Sequence, residues 1–90
     1  MAPTPIENPQ VAGWQVVDGH LVRSVQAPDF PSAIAWVVAI ADQAESMDHH
    51  PDIDIRWRTL TLRLRTHSAD AITDLDVQLA EAINAIVEAG

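Results

Sequence analysis

The stretch Glu45-Ser46-Met47-Asp48-His49-His50-Pro51, running on into Asp52-Ile53-Asp54-Ile55-Arg56-Trp57-Arg58-Thr59-Leu60-Thr61-Leu62-Arg63-Leu64, decides the fold. Upstream of it apolar residues recur at three- and four-residue steps; beyond Pro51 they recur at every second position. Those are the periods of a helix and of a half-buried strand. Pro51 has no backbone N–H and pushes His50 out of the helical region, so the change of element falls on the His-His-Pro triplet. Glu45 to Asp48 then form the last turn of the helix. The triplets Ile53, Ile55, Trp57 and Leu60, Leu62, Leu64 are out of phase by one. An unbroken strand cannot hold both on one face, so a turn or bulge is expected near Arg58-Thr59, between strands of about 52–57 and 60–66.

Working upstream, Pro28-Asp29-Phe30-Pro31 starts the helix, with Asp29 as N-cap and proline in the first turn. Ala33, Ile34, Trp36, Val37, Ile40, Ala41, Ala44 and Met47 form its apolar stripe. The helix should run from about 30 to 48, roughly 28 Å at 1.5 Å per residue. Before it, Trp14 to Ala27 reads as a hairpin around Asp18-Gly19, a pair suited to a type I′ turn. That pairing puts Trp14, Val16, Leu21 and Val25 on the core face. Pro3, Pro5 and Pro9 forbid a regular helix in residues 1–10, which read as an N-terminal tail to a single domain over 11–90. Downstream, Thr73-Asp74-Leu75-Asp76 opens the last helix as a capping box variant, with Leu75, Leu79, Ala82, Ile83 and Ile86 facing inward. The order β-β-α-β-β-α predicts an α+β domain: two main helices on one face of a four-stranded antiparallel sheet. Thr59, Thr61, Arg63 and Arg65 would face solvent on the other side.

Ninety residues, 48% of them hydrophobic, suit one packed domain whose small core favours oligomerisation. A net charge of −8, with five arginines and no lysine, argues against non-specific binding of nucleic acid or anionic membrane. The absence of cysteine removes disulfide and thiolate chemistry. No apolar stretch approaches membrane-spanning length and no leader pattern opens the chain, so a cytoplasmic protein is expected.

Three of the four histidines lie in the two short pieces His49-His50 and Thr66-His67, at the ends of regular elements. His67 should stand at a strand end, just before the last helix. If these ends meet, three imidazoles and at least one carboxylate line one pocket. Histidine both takes and gives a proton near neutral pH, which general acid/base work requires. The same side chains could complete a zinc shell, but adjacent ligands such as His49-His50 rarely converge on one ion, and no His-x3-His pair is present. Glu45 precedes His49 by four residues and could orient that imidazole, or be a solvated helix residue. Asp76 reads locally as the N3 acid of the capping box. Trp57 could wall the pocket or belong to the core, where Trp14 and Trp36 also fall. His20 adjoins the turn and reads as surface. No phosphate loop, nucleophile elbow or basic aromatic stripe appears.

The pattern Glu45-x3-His49-His50-Pro51-x5-Trp57-x9-His67-x8-Asp76 resembles the signature of the pterin-4a-carbinolamine dehydratases. A looser likeness reaches back through Gly13-Trp14, Asp18-Gly19 and Asp29-Phe30. The resemblance implies the same α+β architecture. It also implies a lyase that dehydrates a 4a-hydroxytetrahydropterin, such as 4a-hydroxytetrahydrobiopterin, to the quinonoid dihydropterin, without metal or other cofactor. Carried over by position, His49 and His67 are the proton-transfer pair and His50 mainly holds the pterin. Glu45 and Asp76 support the site. Pro51, Thr66, Ser68 and Ala69 flank the histidines, where backbone groups could hydrogen-bond the ring. A homodimer or homotetramer is the family habit. The chain departs from the family in three places: the first helix is short or absent, Ile55-Arg56-Trp57-Arg58 replaces a common Asn-Val-Tyr-Asn, and Ala71 replaces a common glycine. Two further readings keep the fold: a non-enzymatic binding or assembly module, and a lyase for another pterin.

Overall fold

A computed structural model describes residues 2–90. The change of period at His50-Pro51 is the change of element. Helix α1 spans Phe30–Met47 and stops at Asp48, whose left-handed backbone (φ 49, ψ 45) turns its N–H back onto the Ala44 and Glu45 carbonyls. Asp29 caps the other end by accepting the Ser32 N–H at 2.8 Å. That bond, with the Ser32 side chain, holds the Asp29 carboxyl below its ordinary value. After α1 the chain enters strands β3 (Asp52–Arg56) and β4 (Thr59–Leu64), and before it lie β1 (Gln15–Val17) and β2 (His20–Gln26). A 3-10 turn at His67–Ala69 leads to helix α2 (Asp74–Ala89).

The two hairpins join through their inner strands into one antiparallel sheet of order β1-β2-β4-β3. The register sets Leu21 opposite Leu64 and Val25 opposite Leu60. Ile53 lies opposite Leu62. One sheet face thus carries a continuous apolar row. Leu60, Leu62 and Leu64 are fully buried there against Ala33, Ile40, Leu79 and Ile83 of the two helices. Each such leucine contributes about 1.5–3 kcal/mol by leaving water. The other face is polar, as expected: Ser24 meets Thr61 hydroxyl to hydroxyl at 2.9 Å.

The expected order and layers are those of the structure, with local differences. Trp57 and Arg58, not Arg58-Thr59, form the turn between β3 and β4. Trp57 takes a positive φ of 54, which explains the phase slip. An L-residue of this bulk is strained there. The turn is held by Arg58, whose guanidinium stacks 4.7 Å from the Trp57 ring centroid and donates to the Ala27 and Pro28 carbonyls at 3.1 and 3.2 Å. Trp57 is therefore neither core nor half-buried but 69% exposed. Val16 on edge strand β1, and Ile34 and Ala41 on α1, are exposed although their phase put them inside. An edge strand of three residues and a helix covering a narrow sheet leave those flanks uncovered. The proline-bearing N-terminal stretch contains no helix and pairs with the α2 approach. Ile6 N–H donates to Ile72 O at 2.9 Å, and Asp74 N–H to Thr4 O at 3.0 Å.

Candidate active site

The end of α1 carries two histidines with different surroundings. Asp48 leaves the helical region, so His49 and His50 lie beyond the helix. His49 turns inward and is 9% exposed. Its Nε2 lies 2.5 Å from Asp76 Oδ1. A carboxylate only accepts, so Nε2–H donates in this pair and Nδ1 stands outside it. His50 turns outward, with Nε2 2.5 Å from Glu45 Oε2. Glu45 therefore orients His50 and not His49, because the helical i, i+4 relation ends at Met47. The Glu45–His50 pair is solvent-exposed on both sides, where such contacts contribute little.

Asp76 does two jobs from one position. It is the N3 acid of a complete capping box with Thr73. Its Oδ2 accepts the Thr73 N–H at 2.8 Å and the Thr66 hydroxyl at 2.8 Å. Thr66 and Thr73 also touch hydroxyl to hydroxyl at 2.7 Å. Asp76 is fully buried and every donor aimed at it is internal.

His67 lies beyond the strand end, on the 3-10 turn, and is exposed. That turn is tied down by Arg65, which leaves the sheet's alternation because β4 ends at Leu64. Arg65 donates to the Gly19 carbonyl at 2.8 Å and to the Asp70 carbonyl at 2.8 Å. Its ion pair with the Asp70 carboxylate spans 2.5 Å. The Arg65 hydrogen bond and charge hold that carboxyl below its ordinary value. A Cβ at Gly19 would run into this guanidinium, and Gly19 also has a positive φ of 75.

These elements enclose a cleft of about 260 Å³ lined by Asp48, His49, His50, Arg65, Thr66, His67, Ser68 and Leu75. The three histidines expected at element ends do border one space. Thr66 and Ser68 line it too. Pro51 and Ala69 adjoin lining residues without lining the cleft, and Trp57 stands at the far end of the β3–β4 hairpin. Asp48, Arg65 and Leu75 are additional walls; the sequence offered no sign for the last two, since alternation assigned Arg65 to solvent and the helical stripe assigned Leu75 to the core. A wider hollow of about 370 Å³ beside residues 10–12 and α2 carries Glu81, Asn84 and Glu88 but no imidazole. Among the described residues no three His, Cys, Asp or Glu side chains are grouped to hold a metal ion.

Fold and cleft together define a class: small α+β proteins with a histidine-lined cleft beside an antiparallel sheet. Within it the chain belongs to the pterin 4 alpha carbinolamine dehydratase family, whose pattern matches residues 4–86. A Mycobacterium avium relative provisionally named pterin-4-alpha-carbinolamine dehydratase is 53% identical over 79 residues, covering 88% of this chain and 84% of its own. Among solved structures, a transcriptional coactivator/pterin dehydratase from Brucella melitensis superposes with TM-score 0.82 at 36% identity, over 84% of this chain and 83% of that one. A pterin dehydratase-like RuBisCO assembly factor of the alpha-carboxysome superposes with TM-score 0.69 at 16% identity, over 82% of this chain and 86% of that one, a likeness of fold.

Proposed function

We propose that this cleft dehydrates a 4a-hydroxytetrahydropterin by histidine acid/base catalysis. The observation that carries the reading is the convergence of His49, His50 and His67 on one cleft, with His49 backed by buried Asp76. The reaction breaks the C4a–O bond and the N–H bond of the adjacent ring nitrogen. One group protonates the departing hydroxyl, which leaves as water; a second takes the ring proton, and the electron pair closes the new C=N bond. His49, with Nδ1 free, and His67, without a side-chain partner among the described residues, are the pair that moves these protons. His50 holds the ring with Glu45 as its anchor. Thr66, Ser68 and Arg65 shape the wall. No metal or organic cofactor takes part.

The chain works as a cytoplasmic homo-oligomer, a dimer or tetramer. No helix among the described residues is long and apolar enough to cross a membrane. Phe30, Ile34 and Val38 of α1 and Ile53 and Ile55 of edge strand β3 are exposed apolar side chains that a second copy would cover. The same exposed residues, with the coactivator and assembly names of two structural relatives, support the second reading, a binding module on this fold. A dehydratase assay on a 4a-hydroxytetrahydropterin separates the two. Turnover above the spontaneous rate supports the lyase, and none from folded protein leaves the module.

A further inference from the structure

We infer that Thr66 is a positioning residue for His49, acting through Asp76, and not a contact for the substrate; this deepens the lyase reading and rests on it. Thr66 lines the cleft, yet it is 4% exposed and every polar group it owns is engaged inside the protein. Its N–H donates to Ala71 O at 3.0 Å, and its carbonyl accepts from Ala69 and Ala71 at 3.2 and 3.4 Å. Its hydroxyl donates to Asp76 Oδ2 at 2.8 Å. A hydroxyl has one proton, so the 2.7 Å contact between Thr66 and Thr73 must run from the Thr73 hydroxyl to Thr66 Oγ1. Thr73 Oγ1 in turn accepts the Leu75 N–H at 3.3 Å.

The chain of protons therefore points one way: Thr73 to Thr66 to Asp76. With the Thr73 N–H also on Oδ2, that oxygen is pinned by two donors and the carboxylate cannot rotate. Oδ1 is left facing His49 Nε2 at 2.5 Å, which selects the Nε2–H tautomer and leaves Nδ1 as the basic nitrogen. The pairing of Thr4–Ile6 with Ile72–Asp74 braces the Thr73 backbone from outside. Without the Thr66 hydroxyl, one of two restraints on Oδ2 is lost, so the carboxylate can swing and its bond to His49 Nε2–H loosens.

The test is histidine ¹⁵N NMR on the unliganded wild type, Thr66→Val and Thr66→Ser, with steady-state dehydratase kinetics on the same samples. Wild type should show His49 protonated on Nε2 at neutral pH. Thr66→Val should keep the Nε2 proton but move its resonance upfield as the bond to Asp76 weakens, with a kcat reduced by about 10- to 100-fold, the scale of one charge-assisted hydrogen bond, and KM within about twofold. Thr66→Ser, which keeps the hydroxyl, should restore most of both. An Nε2–H resonance unchanged in Thr66→Val, together with a raised KM, would make Thr66 a substrate contact and overturn the inference. Should Thr66→Val not fold, wild-type His49 protonated on Nδ1 overturns it alone. If no variant, wild type included, turns over a pterin, the lyase reading fails while the Nε2–H resonance still decides the role of Thr66.

Discussion

Replacing Asp76 with asparagine exchanges one oxygen for an NH₂ group and should uncouple stability from catalysis. The side chain keeps its shape, but one oxygen becomes an NH₂ that donates. The Thr66 hydroxyl and Thr73 N–H both donate to Oδ2, so the amide oxygen must take that side. The NH₂ then faces His49, where only a proton-free Nε2 can accept it, and His49 must move its proton to Nδ1. Each bond to the carboxylate is charge-assisted, worth about 1.5–3 kcal/mol, against about 0.5–1.5 for a neutral bond. With three contacts weakened and a buried charge removed, the net loss should be about 1–3 kcal/mol. That lowers Tm by about 5–20 °C for a domain of this size, within a typical 5–15 kcal/mol of total stability. The catalytic cost is larger in proportion. The nitrogen that should take or give the proton now carries the wrong charge pattern, and loss of a general acid or base costs about 10²–10⁴-fold in kcat. Asp76→Ala should be worse for stability, by about 3–5 kcal/mol, because it strands a buried imidazole and two donors. Thermal melts and steady-state kinetics on Asp76→Asn decide the matter. A kcat within about twofold of wild type, with His49 still protonated on Nε2, would refute the reasoning.

His50→Ala should raise KM by about tenfold or more and leave kcat nearly intact, since a group that binds ground and transition states alike affects binding alone; a fall confined to kcat would move His50 into the proton-transfer pair. Dialysis against a strong chelator should leave activity unchanged, measured beside metal analysis of the protein, and loss restored by added zinc would contradict the metal-free mechanism. The Asp70 carboxyl is lowered in the folded protein from 3.8, first by the Arg65 hydrogen bond and then by its charge. A lowered folded value contributes stability that is full above the unfolded value and lost as pH falls through the folded one. The Tm gap between wild type and Asp70→Asn should therefore be constant near neutrality and close in acid below about pH 3.8; a gap unchanged in strong acid would remove the ion pair as its cause.

Much of the fold was legible because the sequence changes period abruptly. The helical stripe ends at Met47, the alternation begins at Ile53, and Asp18-Gly19 and Thr73-Asp76 mark a turn and a helix start by local chemistry alone. What escaped depended on groups distant in sequence. Nothing near Trp57 announces a positive φ, since the turn is stabilised by Arg58 reaching back to Ala27 and Pro28. The proline-bearing N-terminus has no strand pattern, yet its backbone finds partners at residues 72–74. In the site, the three histidines were readable as a group from their places at element ends. Which carboxylate serves which imidazole was not, because the left-handed Asp48 ends the helical spacing before His49 and His50. Alternation assigned Arg65 to solvent and helical periodicity assigned Leu75 to the core, and the strand end at Leu64 and the start of α2 redirect both to the cleft. Thr66 looked like a flank of His67, and its hydroxyl bond to Asp76 spans ten residues that no periodicity connects.

The most direct test of the central claim is the dehydration rate of a 4a-hydroxytetrahydropterin, followed by absorbance, for wild type beside a folded His49→Ala, His67→Ala double mutant. Wild type should accelerate the reaction, and the double mutant should lose at least about 10²-fold in kcat, but less than the product of the two single losses if the pair acts as a unit. Equal kcat for wild type and the folded double mutant would contradict acid/base catalysis by this cleft.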